Sequence, residues 1–324
     1  MPTIRRAHAK LNLALAVAPP DPHRHGWHPI ASWMHAIDLA DELTIEHADT
    51  TSFDLQWLDP AGRTHPVEWA TEADLVARAH AALEAHAARP LPARVTLRKR
   101  TPAGGGLGGG SSDAAAALFA LHQHHRLRLP AQELQALAHT LGSDVPFFLK
   151  TDPTDDPADD PTNKPDRDPD QPPRPALVEA FGERLTRTPP LPALGVVLIC
   201  PPFPCATPEV YRAFDTDPGA AEAFRHRAET VRRLAHEPPP GDDPRELSAL
   251  LFNDLEPAAR RVEPRLGELL DACRAALPAP VHMTGSGSTL FALTPPGQTA
   301  ETAAEARRAS RAFQGTRVLE TSLR

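Results

Sequence analysis

Thr101-Pro102-Ala103-Gly104-Gly105-Gly106-Leu107-Gly108-Gly109-Gly110-Ser111-Ser112-Asp113 is the stretch on which the fold turns. Six of the seven residues from Gly104 to Gly110 are glycine. No packed core calls for that, because glycine inside an element weakens it. The run follows a strand-like segment, Arg94-Val95-Thr96-Leu97-Arg98, and precedes an Ala- and Leu-rich segment over 113–125 that reads as a helix. A glycine loop entering a helix lets backbone N–H groups converge on an anion, and the helix dipole favours negative charge there. A phosphate chain is the natural ligand. The bland reading is a flexible Gly/Ser linker, against which stands the tight placement between a strand and a helix.

Two familiar phosphate loops fit poorly. A Walker A loop needs Lys after its last glycine, where this chain has Ser111. Gly104-x-Gly106-x-x-Gly109 matches the dinucleotide pattern literally, but that pattern needs a second strand after the helix and an acid about 20 residues on. Around Leu129 there is no acid, and Pro130 opens another helix.

The totals narrow the class. A chain of 324 residues suggests about two domains. Its net charge of −8 disfavours nucleic acid or an anionic membrane as partner. Cys200, Cys205 and Cys273 form neither a disulfide framework nor a zinc pattern. With no apolar signal core at the start and no run approaching 18 apolar residues, the expectation is a soluble, cytoplasmic protein.

Along the chain, Leu11, Leu13, Leu15 and Val17 alternate with Lys10, Asn12, Ala14 and Ala16. Period two predicts a strand with leucines on the core face and Lys10 and Asn12 together on the other. Arg24-His25-Gly26-Trp27-His28-Pro29-Ile30 reads as a loop. Residues 30–37, 43–46 and 53–57 read as strands separated by turns, and 72–86 as an amphipathic helix. Helices are expected at 131–141, 220–235, 245–250, 264–276 and 299–313, a buried strand at 195–200, and a strand, glycine turn and strand over 281–292. Lys99 is read evenly as a cation for phosphate or as a solvated side chain. The histidines His122, His124 and His125 read as surface.

Three segments together resemble the GHMP kinases (galacto-, homoserine, mevalonate and phosphomevalonate kinases). Pro102 to Ala115 is similar to their central motif, Ala9-Lys10-Leu11-Asn12-Leu13 to the first, and Val281 to Ala292, with Gly285-Ser286-Gly287-Ser288, to the third. The resemblance implies an α+β, two-domain GHMP kinase fold with the active site in the cleft between domains. It implies ATP, with Mg2+, as phosphoryl donor, held by Lys99 and by Pro102 through Ser112. Ser112 is its best candidate for a side-chain contact to Mg2+. Leu141-Gly142-Ser143-Asp144-Val145-Pro146 is similar to the stretch carrying the family's catalytic base, which puts Asp144 in that role with Lys10 beside the attacking hydroxyl and Asn12 positioning ligand. An Asn that helps seat adenine in the family falls at Asp74 here.

Two further segments resemble those of the family's diphosphocytidyl-methylerythritol kinases: Trp27-His28, where an aromatic ring stacks on cytosine, and Thr207-Pro208-Glu209-Val210-Tyr211, which completes the cytosine site. The implied acceptor is a small cytidine diphosphate, with Asn12, Trp27, His28, Thr207, Pro208 and Tyr211 in contact with it. Trp27 and Tyr211 would flank the base and His28 would read its polar edge; the bland reading puts both aromatics in the core. The resemblance leaves open another GHMP kinase, of homoserine or mevalonate type, and a non-catalytic nucleotide-binding homologue. Residues 152–175 hold eight Asp and eight Pro and no aliphatic residue larger than Ala. They read as a disordered acidic insert that divides 1–150, the ATP-binding domain, from 176–324. A monomer or weak homodimer is expected.

Overall fold

Hydrophobic period decides most elements of this chain, and the exceptions fall where a polar residue is buried. The computed structural model describes residues 2–59, 61–149, 171–217, 219–239 and 243–324. The greater part of the expected insert, 151–170, lies outside the described residues. The elements run β1 (Thr3–Val17), β2 (Ile30–His47), β3 (Ser52–Leu58), β4 (Thr64–Pro66), α1 (Leu75–Ala87), β5 (Ala93–Lys99), α2 (Gly109–His124), α3 (Ala131–Leu141), α4 (Val145–Phe148), β6 (Ala176–Ala180), β7 (Arg184–Arg187) and β8 (Gly195–Cys200). There follow α5 (Thr207–Phe214), α6 (Ala220–His236), α7 (Pro244–Ser248), β9 (Phe252–Asn253), α8 (Glu256–Val262), α9 (Pro264–Ala276), β10 (Val281–Met283), β11 (Leu290–Thr294), α10 (Thr299–Ala309) and β12 (Arg317–Ser322). The expected α+β class is what forms.

The chain divides into two units that interleave along the sequence. The first contains residues 2–9, 39–101 and 108–149; the second contains 10–38, 102–107 and the chain from 174 on. The reason is that β1 and β2 are long, and each contributes one part to each unit. The glycine run is divided too, with 102–107 in the second unit and Gly108 onward in the first.

In the first unit, β3 lies parallel to β5 and antiparallel to β4, and β5 pairs antiparallel with Glu42 to His47 of β2. Helix α2 packs against α1, α3 and α4. Its Ala-rich stretch, Ala114, Ala115, Ala117, Leu118, Ala120 and Leu121, is buried, as befits a helix covered on several sides. In the second unit, β8 lies between β11 and β12, antiparallel to both, in the order β10-β11-β8-β12. Val197 and Ile199 of β8 join Leu15, Val17, Leu269 and Leu270 in one hydrophobic cluster. Residues 30–34 of β2 pair with β6, and Ala14 and Leu15 of β1 pair with β9.

Two differences from the sequence reading bear on the site. Residues 30–47 form one strand of 18 residues rather than two with a turn. The polar run that suggests a turn includes Asp41, which is fully buried and hydrogen-bonded at 2.6–2.7 Å to the N–H groups of Arg100 and Thr101. Helix α2 begins at Gly109, four residues before Asp113, after Gly108, which sits in the left-handed region (φ 69°) and turns the chain into it.

Two buried histidines give the second unit a pH dependence. Burial holds His35 down to about 4 from 6.5, and burial followed by the Arg274 charge does the same for His282. As pH falls through 6.5 the unfolded chain takes up protons at both positions, whereas the folded chain does not until about pH 4. Their contribution is therefore complete above pH 6.5 and is lost progressively between 6.5 and 4. Each should remove on the order of 2–3 kcal/mol over that window. Denaturant midpoints at pH 7.5 and pH 5 check this: the midpoint should fall at pH 5, and His35→Leu should lessen the fall. An equal fall in the variant would show that His35 is not a source.

Candidate active site

In the second unit the first half of the glycine loop is fastened to β1 and to the β10–β11 turn. Lys10, 2% exposed, donates from Nζ to the Gly106 carbonyl at 2.9 Å and to Asn12 Oδ1. Its backbone N–H donates to the Leu107 carbonyl. Asn12 Nδ2 donates to Ser32 Oγ, and the Asn12 N–H donates to Thr284 Oγ1 at 3.0 Å. On the turn side, the Thr289 N–H donates to the Gly105 carbonyl. A Cβ on Gly106, whose φ is 74°, would stand 2.3 Å from the Thr284 carbonyl oxygen. Asn253, just before α8, fixes the turn by donating to the Met283 and Gly285 carbonyls at 2.9 and 2.8 Å. Lys10 and Asn12 are thus not solvated edge residues. Three segments far apart in sequence meet in one buried hydrogen-bonded cluster.

The remaining loop residues, Gly108 to Ser112, enter helix α2 in the first unit. Gly108 has no side chain to cap the helix, so the first-turn N–H groups of Gly109, Gly110 and Ser111 receive no side-chain cap and suit an anion. Ser112 is buried and donates its N–H to the Gly108 carbonyl. Lys99 is 3% exposed, which removes the solvated reading. Its Nζ donates to Asp41 Oδ2 at 2.8 Å and to Asp113 Oδ2, and it lies 5.7 Å from the Trp57 ring centroid. Burial opposes the charge, yet Asp113 and Asp41 outweigh it and hold the ammonium above its ordinary range. For Asp113, burial and then Asp41 raise the carboxyl well above the usual range, against the pull of Lys99. The cation expected for phosphate is therefore already held between two buried carboxyl groups. Asp74 caps α1 through the Val76 N–H and accepts from Trp69 Nε1. Asp144 lies at the head of α4, where its side chain does not cap the helix.

The segments read as a cytosine site meet in the second unit. Trp27 is 57% exposed, so it is not a core residue. The Tyr211 ring lies 4.8 Å from that of His28, tilted by 45°, so it is His28 that packs on Tyr211. His28 bonds through Nδ1 to the Ala18 carbonyl at 2.8 Å, and its Nε2 is 3.3 Å from Asp215 Oδ1. Both ring nitrogens of His28 thus face protein partners, and its ring lies tilted against that of Tyr211. Thr207 Oγ1 bonds to Ser286 Oγ at 2.8 Å, which links the start of α5, where Pro208 follows, to the glycine turn.

The order of three motifs, now joined through side chains, is the pattern that known families can be compared with. The GHMP kinases N terminal domain matches residues 74–151, and the GHMP kinases C terminal domain matches residues 220–312. The chain is 35% identical over 293 residues to 4-diphosphocytidyl-2-C-methyl-D-erythritol kinase of Caulobacter vibrioides, covering 89% of this chain and 88% of that one. The chain belongs to the GHMP kinase family. A crystal structure of 4-(cytidine 5'-diphospho)-2C-methyl-D-erythritol kinase superposes on this GHMP kinase with a TM-score of 0.66 and 32% identity, covering 99% of each chain. Homoserine kinase from Cytophaga hutchinsonii superposes with a TM-score of 0.67 at 16% identity, covering 99% of this chain and 95% of that one, which shows the fold alone. Among the described residues, no helix is long and apolar enough to cross a membrane.

Several residues of this site carry no signal in the sequence. Ser32, Asp41 and Asp215 sit in no motif, and their partners lie 20, 59–60 and 187 positions away. Only Asn253, in a short polar segment, stands out.

The Gly106 contact makes a clear prediction. Since the missing Cβ faces backbone of the β10–β11 turn, Gly106→Ala should lower stability by about 2–3 kcal/mol through steric displacement and an unfavourable φ. Thermal unfolding would check it; an unchanged Tm would mean that the turn yields freely.

Proposed function

We propose that this GHMP kinase transfers the γ-phosphoryl group of MgATP to the 2-hydroxyl of 4-diphosphocytidyl-2-C-methyl-D-erythritol. One observation carries the reading: Lys10 binds the Gly106 carbonyl and Asn12 while Asn12 binds Thr284, so the three motifs act as one assembly. A mere nucleotide binder has no need of a buried ammonium at that junction. Supporting the acceptor are the relatives of the same printed name, which align over most of their length, and the exposed Trp27 beside His28.

Phosphoryl transfer asks mainly for positioning and charge stabilisation. In this reading the N–H groups at the start of α2 receive ATP phosphate oxygens. Asp144 accepts the proton of the 2-hydroxyl as its oxygen bonds to the γ-phosphorus; the bond to the β-phosphate oxygen breaks and ADP leaves. Lys10 favours the developing alkoxide. Mg2+ comes with the nucleotide. Among the described residues no group of three or more His, Cys, Asp or Glu is placed to hold a metal. Ser112 Oγ offers one neutral donor, which fits an ion carried by phosphates and water. Trp27 stacks on the cytosine, with Thr207 and Tyr211 behind it. A cytoplasmic setting is supported by three cysteines that are all buried and free.

ATP consumption with the diphosphocytidyl acceptor, homoserine and mevalonate tests the reading, with turnover expected for the first alone. Asp144→Asn should keep ATP and acceptor binding and lower kcat by roughly 10²–10⁴. Near wild-type turnover would remove Asp144 as base. Trp27→Ala should raise KM for the acceptor by about five- to a hundredfold with little change for ATP. Equal changes in both constants would show that Trp27 does not hold the base.

A further inference from the structure

One carboxylate in the first unit reaches the start of helix α2 by two routes. Asp41 is fully buried in the middle of β2. Its Oδ1 accepts the N–H groups of Arg100 and Thr101, at 2.6 and 2.7 Å, and its Oδ2 accepts Lys99 Nζ at 2.8 Å. Those are the residues by which the chain leaves β5 for the glycine run. Strand exit exposes backbone N–H groups that the ladder no longer binds, and an unpaired buried N–H is costly. Asp41 satisfies two of them with one oxygen and so dictates the direction of the exit.

The first route runs through backbone. Thr101, held by its N–H, lays its Cγ2 methyl where a Cβ on Gly109 would come within 2.8 Å. Gly109 is the first residue of α2. The second route runs through the ammonium: Lys99 joins Asp41 to Asp113 Oδ2, in the second turn of α2. Contacts of charged donors and acceptors are the strong class of hydrogen bond, and buried networks of them fix geometry. The helix is thereby held at its first residue and again one turn on.

We propose that Asp41 is a positioning residue for the phosphate-binding end of α2. It acts through Thr101 and Lys99, without touching substrate, and the proposal rests on the reading of this loop as the ATP phosphate site. A displacement of α2 would move the N–H groups of Gly109, Gly110 and Ser111 together. Loss of Asp41 should therefore affect ATP selectively.

Steady-state kinetics of the full chain test this, with thermal unfolding run on each variant. Asp41→Asn should raise KM for ATP roughly ten- to a hundredfold, leaving KM for the diphosphocytidyl acceptor within about threefold. Thr101→Ser loses the methyl on Gly109 but keeps the N–H bond to Asp41, and keeps the test alive if Asp41→Asn does not fold. It should raise KM for ATP by about two- to fivefold, and Thr101→Val, which retains the methyl, should raise it less. Folded variants whose ATP KM stays at the wild-type value overturn the proposal. So does a lowered Tm with both KM values changed alike, since a purely structural carboxylate predicts that. A wild-type chain that does not consume ATP overturns the kinase reading instead, and takes this proposal with it.

Discussion

The close approach of Gly106 to Thr284, with the Lys10 ammonium on the Gly106 carbonyl, is the constraint from which the second unit's site follows. An ammonium that is 2% exposed needs oxygen acceptors around it. Gly106 supplies one through its carbonyl, and Asn12 supplies another. Asn12 is then committed on its remaining side to Ser32 and Thr284. A larger residue at 106 would push the turn away and leave Lys10 with one acceptor fewer. The glycine here is thus a packing requirement between two backbones, and the charge beside it depends on that packing.

The same loop uses glycine differently at its other end. Gly109 is small because Thr101 occupies the space where its Cβ would project, and Thr101 is where it is because Asp41 binds its N–H. A run of similar residues therefore answers two separate demands, one in each unit. That division explains why the run is so long for a single anion site: a phosphate needs convergent N–H groups, whereas close backbone packing at both ends needs the absence of side chains.

Much of the fold was legible in the sequence because hydrophobic period and turn residues determine it locally. The strand over 195–200 and the helices over 131–141 and 264–276 form as their patterns dictate. What was hidden is polar and long-range. Asp41 falls in a stretch that reads as a turn, since Asp38, Asp41 and Glu42 interrupt the apolar pattern. It stays inside β2 because three donors from the end of β5 converge on it. The sharing of β1 and β2 between the two units was hidden for a similar reason: a long strand looks the same wherever its partners change, and residues 10–38 group with the later part of the chain. Lys99 was legible as buried or solvated only through its partners, one of which, Asp41, lies 58 positions away.

The aromatic segment shows how hydrogen bonding limits a site's chemistry. With the Ala18 carbonyl at Nδ1, that nitrogen must carry a proton. Nε2 in turn lies 3.3 Å from the Asp215 carboxylate. The edge of the ring thus faces the Ala18 carbonyl and Asp215, while its face lies tilted against Tyr211. Under the proposed acceptor, discrimination between bases on this surface would fall to Asp215 together with His28, because the two side chains lie side by side. In the same reading Trp27, exposed and adjacent in sequence, would add area to such a surface but no discrimination, because every base has a face to stack.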